Sequence, residues 1–91
     1  MKWHYLIVTA SHDLQAAGYR EQLDLRRQLG LLADIDNVLV VADPGGRRIG
    51  SGGSTLFCLL EVVNRELGRR RTADWRGILN GLRILIVHAG G

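Results

Sequence analysis

Val38-Leu39-Val40-Val41-Ala42-Asp43-Pro44-Gly45-Gly46-Arg47-Arg48-Ile49-Gly50-Ser51-Gly52-Gly53-Ser54-Thr55-Leu56 joins an apolar run to a glycine-rich segment and then to a helical pattern. The run Val38 to Val41 has no polar alternation, which predicts a strand covered on both faces, as in a parallel sheet. Asp43-Pro44-Gly45-Gly46 ends that strand with turn chemistry. A glycine-rich loop is expected to about Ser54. Beyond it Leu56, Leu59, Leu60, Val63 and Leu67 recur at helical spacing, and Gly68 closes the pattern.

The same alternation extends outward in both directions. Upstream, Tyr5-Leu6-Ile7-Val8 reads as a buried strand ending at Thr9-Ala10-Ser11. Ser11 suits an N-cap, and Asp13 favours the first turn of a helix from about His12 to Leu29. Ala16, Tyr19 and Leu23 give that helix an inner stripe, extended by Leu25, Leu29 and Leu32. Gly18 weakens the pattern, and Gly30 is the expected stop. Downstream, Arg69-Arg70-Arg71 and the polar stretch to Asn80 form a connection with room for a helical turn. Leu82 to Val87 is a third strand, ending at His88-Ala89-Gly90-Gly91. The order strand, helix, strand, glycine loop, helix, strand implies right-handed crossovers and an α/β fold with a parallel sheet. Ligands of such sheets bind beyond the carboxyl ends of the strands, where both glycine-rich segments fall.

Bulk properties narrow the setting. The chain has 91 residues, 46% hydrophobic and 23% charged, which bounds it to one small globular domain. Of its 12 basic residues all but Lys2 are arginine, whose fork suits phosphate and carboxylate. A formal charge of +3 favours an anionic ligand but is too small to argue for nucleic acid. The single cysteine, Cys58, reads as a small buried hydrophobe and fits a reducing, cytoplasmic setting. The first residues run straight into a strand without a signal peptide, and no apolar run approaches a membrane span. A chain stopping on glycines after an apolar strand is expected to be an incomplete sheet. Its two edges would leave backbone groups open and favour self-association.

Chemistry centres on Asp43 to Thr55. Glycines let backbone N–H groups approach an oxyanion, and a helix N-terminus adds donors and a positive dipole end. Ser51, Ser54 and Thr55 add hydroxyls, and Arg47 and Arg48 add charge. Neither common phosphate loop is present. Gly45 and Gly50 have the P-loop spacing, but Ser51-Gly52 follows in place of Lys-Ser/Thr. Gly50 and Gly52 begin a dinucleotide loop, but Thr55 stands where its last glycine belongs. From the residues alone two readings stand side by side: an anion cradle, or a turn with a helix cap and two solvated arginines. Ile86-Val87-His88-Ala89-Gly90-Gly91 is a second candidate nucleotide turn, equally readable as a plain strand end. His4 and His12 lack companions at metal-ligand spacing. Ser11-His12-Asp13 are consecutive and form no triad. The arginine run offsets a helix dipole. Trp3 and Trp75 are left as packing or interface residues.

These segments together resemble a known family. Val8-Thr9-Ala10-Ser11, Gln15-Ala16-Ala17-Gly18-Tyr19, Gln22-Leu23 with Arg26-Arg27, and Gly30-Leu31-Leu32 are similar to the N-terminal stretch of fucokinase / fucose-1-phosphate guanylyltransferase proteins. Asp43 to Leu56 resembles their glycine-rich run, and Ile84 to Gly91 their next strand and turn. The resemblance implies that residues 1–91 are the N-terminal part of a Rossmann-like nucleotidyltransferase domain, with a three-layer parallel sheet left incomplete. It implies GTP and L-fucose 1-phosphate as partners, giving GDP-fucose and pyrophosphate, with a sugar kinase commonly fused. It places Gly50, Ser51, Gly52, Gly53, Ser54, Thr55, Gly90 and Gly91 along the nucleotide and gives Arg47 and Arg48 the developing charge. It implies Mg²⁺ in the full-length enzyme, with ligands outside this chain, so that the 91 residues alone are expected to be inactive. A stand-alone phosphate- or nucleotide-binding module without catalysis is the alternative. A degenerate product with no ligand is a third.

Overall fold

The computed structural model describes residues 2–43, 50–70 and 74–89. Three strands, β1 (Trp3–Ala10), β2 (Ile35–Ala42) and β3 (Ile84–His88), alternate with α1 (Asp13–Gln28), α2 (Gly50–Arg70) and α3 (Trp75–Asn80). The strands form one parallel sheet in the order β2-β1-β3. This is the expected α/β architecture, incomplete and not closed into a barrel. In register, Val8 lies beside Val40 on one side and Val87 on the other.

The side-chain period of a strand distributes β1 between two cores. Tyr5 and Ile7 point to one face, where Cys58 and Val62 of α2 cover them, with Leu39, Val41, Leu79, Leu82, Ile84 and Ile86 around. Ala10 points to the other face and packs with Ala16 of α1 and Val40, flanked by Val8, Tyr19 and Leu23. The sheet is thus the middle of three layers. Cys58 is fully buried, as a small apolar residue should be, and burial raises its thiol pKa from the ordinary 9.0, with Asp43 and Glu61 adding to the shift.

Element ends differ from the sequence expectation in instructive ways. The α1 cap is His12 rather than Ser11: its Nδ1 accepts the Gln15 N–H at 3.1 Å, while Gln15 Oε1 accepts the Ser11 N–H at 2.7 Å. The pair resembles a capping box, with imidazole in place of the hydroxyl and the return bond made to the residue before the cap. At the other end Gly30, with φ 76°, closes the helix as expected. Its N–H reaches Arg27 O and that of Leu31 reaches Arg26 O, a Schellman motif that needs a left-handed residue.

The α2 helix starts at Gly50, several residues before the expected loop end, and continues past Gly68 to Arg70. Arg69 and Arg70 therefore sit in its last turn and do not begin a connection. The inner face of α2 was also misplaced by its leucine pattern. Ser54, Cys58, Val62 and Glu66 are the buried positions, while Leu56 and Leu60 are 61% and 53% exposed. Likewise Leu25 and Leu29 of α1 lie outside, leaving Ala16, Tyr19 and Leu23 as its inner stripe. On the face that α1 covers over β1 and β2, Leu85 and Val87 of β3 stay exposed.

Candidate functional site

Three segments converge at the carboxyl rim of the sheet: the end of β1, the end of β2 with Asp43, and the end of β3. The first turns of α2 stand over them. Ser54, which is buried, donates its hydroxyl to Asp43 Oδ1 at 3.0 Å. His88 joins the other two strands to the helix. Its Nε2 lies 3.2 Å from Thr55 Oγ1 and its Nδ1 lies 3.4 Å from Thr9 Oγ1. A neutral imidazole can donate at one nitrogen and accept at the other, so both threonine hydroxyls have a complementary partner in either tautomer. The Nδ1 contact is long and the weaker of the two. Beyond β3, Tyr19 of α1 donates to Ala89 O at 3.1 Å.

The glycine-rich residues thus take their place by simple means. Asp43 and Ser54 tether α2 to β2, while Thr55 and His88 tether it to β3. Gly50, Ser51, Gly52, Gly53, Ser54 and Thr55, expected in a loop, form the opening turns of the helix. Interior glycine costs about 1 kcal/mol against alanine, but the first turn tolerates it because its N–H groups have no intrahelical acceptor to lose. An α-helix leaves the N–H groups of its first three residues without an acceptor of its own, because the fourth already meets the cap carbonyl, as Ala16 meets His12 O at 3.0 Å in α1. The backbone donors of the cradle therefore belong to Gly50, Ser51 and Gly52. Ser54 and Thr55 offer hydroxyls, both already engaged by rim residues. Gly52 has open space where a Cβ would stand.

Arg47, Arg48, Gly90 and Gly91 lie outside the described residues. Among those described, no three His, Cys, Asp or Glu side chains cluster to hold a metal. His4 is structural, its Nδ1 accepting the Arg83 N–H at 2.9 Å. No helix is long and apolar enough to cross a membrane, among the described residues.

Motif reading gave Thr9 no role, and it placed Asp43 and His88 within candidate segments without assigning them the contacts seen here. Their one sequence signal is position: each stands at or just beyond the end of an apolar strand. A second missed group is Glu66, 1% exposed within the α2 core. It accepts from Tyr5 Oη at 3.0 Å and pairs with Arg69 at 3.3 Å and Arg70 at 3.0 Å. Its spacing of four and eight residues from Val62 and Cys58 is the signal that it shares their face.

Three curated proteins are similar along almost the whole chain. A bifunctional fucokinase/GDP-fucose pyrophosphorylase of Arabidopsis thaliana is 31% identical over 100 residues, covering 98% of this chain and 10% of that protein. A fucose-1-phosphate guanylyltransferase of Mus musculus is 35% identical over 92 residues, covering 98% of this chain and 14% of its own length. A protein of the same name from Homo sapiens is 34% identical, with 98% and 13% covered. No family model matches the chain, and no solved structure is a significant match. The aligned stretch is a small part of each relative. As the sequence suggested, the chain is similar along almost its whole length to fucokinase / fucose-1-phosphate guanylyltransferase proteins, of which it spans between 10% and 14%.

Proposed function

We propose that the 91 residues form the nucleotide-phosphate-binding part of a sugar-1-phosphate nucleotidyltransferase, at the N-terminus of its catalytic domain. The reaction proposed for the parent protein joins GTP to fucose 1-phosphate. A phosphate oxygen of the sugar attacks the α-phosphorus of GTP, the bond to the β-phosphate oxygen breaks, and pyrophosphate leaves with the electron pair. GDP-fucose is the other product. Such a transfer is catalysed by positioning and charge neutralisation.

One observation supports the reading most. The segment with the fewest side chains, Gly50 to Gly53, is the start of a long helix held at the sheet's carboxyl rim by Ser54–Asp43 and Thr55–His88. Unfilled N–H groups and a positive dipole end favour a phosphate there. In this proposal the N–H groups of Gly50, Ser51 and Gly52 meet the triphosphate with Gly53 beside them, Ser54 and Thr55 fix the helix start, and Gly90 and Gly91 lie alongside. Arg47 and Arg48 neutralise charge as pyrophosphate departs. Mg²⁺ would be held by carboxylates outside these residues and would supply further neutralisation between the phosphates.

The test is thermal unfolding of the chain with GTP, GDP and guanosine, with and without Mg²⁺. GTP is expected to raise the melting temperature, GDP less, and guanosine not at all. Gly52→Val is expected to abolish the response. The open space at Gly52 and the poor helix propensity of glycine mean that this substitution leaves the free chain no less stable. A GTP response that survives Gly52→Val, or equals that of guanosine, rejects the cradle.

A further inference from the structure

The outer edge of β2 is the floor of a groove of about 470 Å³. Val38 to Ala42 form the floor; Arg20, Leu23 and Asp24 of α1 form one wall and Phe57, Glu61 and Arg65 of α2 the other. Strand β2 pairs with β1 on one side, through bonds such as Asp43 N–H to Ala10 O at 2.9 Å. By strand alternation counted back from Asp43, the residues Val38, Val40 and Ala42 turn their backbone groups outward. The chain already addresses one of them: Arg20 Nη2 donates to Val40 O at 3.1 Å.

The charges on the two walls have a common centre. Arg20 reaches the level of Val40, and Asp24 lies one turn, about 6 Å, further along α1, near the level of Val38. Their midpoint faces Leu39. On α2, the midpoint of Glu61 and Arg65 is nine residues past Ser54, about 13 Å at 1.5 Å per residue. Because Ser54 is bonded to Asp43, that distance is about four strand residues back along β2, again Leu39. Each wall thus carries one cation and one anion placed about equally on either side of one point on the strand.

From this placement we propose that β2 pairs antiparallel with β2 of a second copy of this chain, about a two-fold axis through Leu39 perpendicular to the sheet. The axis sets Arg20 against Asp24 of the second copy and Glu61 against its Arg65, each contact made twice, as an isologous interface requires. The same axis sets Val38 opposite Val40 of the second copy. Both residues face outward, so hydrogen-bond parity is satisfied and the two sheets become one of six strands. Arg20 exchanges Val40 O for a carboxylate as the edge carbonyl gains a backbone donor. The dimer owes nothing to the nucleotide reading, and either can fail alone.

Sedimentation velocity of the 91-residue chain from about 10 µM to about 1 mM, in about 0.15 M salt, is the test. A monomer–dimer equilibrium that stops at the dimer is expected. Arg20→Asp weakens it at least about tenfold, and Asp24→Arg added to it restores dimer formation. Glu61→Arg, with Arg65→Glu added, behaves the same way on the other wall. Val38→Pro removes an outward N–H and is expected to give a folded monomer, checked by circular dichroism. A folded chain that stays monomeric throughout overturns the proposal. So does growth beyond a dimer, or a dimer indifferent to all of these substitutions, which would place the contact on another surface.

Discussion

The two ends of α2 are built on opposite principles. Its far end is pinned by Glu66, a carboxylate inside the core that Tyr5 and two arginines hold from three sides. Its rim end is held by two lighter contacts, Ser54 to Asp43 and Thr55 to His88, and begins with residues that have almost no side chains. One end fixes where the helix lies; the other leaves its backbone open. A surface that receives a ligand needs low intrinsic packing, and low packing is tolerable only when the same element is anchored elsewhere.

The largest test of this contrast is Glu66→Ala. It strands the Tyr5 hydroxyl in the core, removes both arginine pairs and opens a cavity, so the loss should be about 3 kcal/mol. In a chain of this size that lowers the melting temperature by roughly 15 °C in calorimetry. A loss near zero would dissolve the distinction between the ends.

Next comes Tyr5→Phe, which deletes one buried hydrogen bond to a carboxylate and should cost about 1.5 kcal/mol near neutral pH. It also tests the alkaline limb of stability. Burial, and then the bond to Glu66, raise the Tyr5 pKa above 10.0; burial raises that of Cys58 above 9.0. Both groups keep their protons longer when folded, so the native state binds more protons than the unfolded one above these values. Their stabilisation is complete below pH 9 and is lost as pH rises past 9 for Cys58 and past 10 for Tyr5, through the raised folded values. Denaturant titrations across that range should show a steep decline, and Tyr5→Phe should flatten its upper part.

The smallest expected effect is Thr55→Val, at most about 1 kcal/mol, because the lost bond to His88 lies at an exposed rim. If the rim is the ligand end, the same variant should weaken the GTP-induced thermal shift by more than its stability cost. Equal losses with and without nucleotide would make Thr55 a structural residue alone.

Sequence reasoning reached the fold more securely than the site. Unbroken apolar runs such as Val38 to Val41 can hardly be anything but buried strands, and Gly30 could be placed because only a left-handed residue completes that helix end. The faces of the helices were harder. Leucine spacing in α2 marked Leu56 and Leu60 as inward, yet the buried face carries Ser54, Cys58, Val62 and Glu66. Two of those four are polar, and a polar residue enters a core only when a distant partner meets it. Tyr5 lies sixty-one positions from Glu66, and Thr9 seventy-nine from His88. Local patterns hold no record of such pairs. The early start of α2 was missed for a related reason: glycine propensity argued for a loop, and the tethers at Asp43 and His88 overrode it.

The order β2-β1-β3 also bears on how the molecule assembles. The central strand precedes both of its neighbours in the chain, and its contacts with β3 span nearly the entire sequence, as Tyr5 beside Ile84 illustrates. Closing so long a span comes late, because entropy must be spent before those contacts return anything. The βαβ unit of β1, α1 and β2 can form first from nearer contacts, leaving one side of β1 waiting. Only when β3 docks do Thr9 and Thr55 meet the same imidazole, so the rim is completed in the final step of folding.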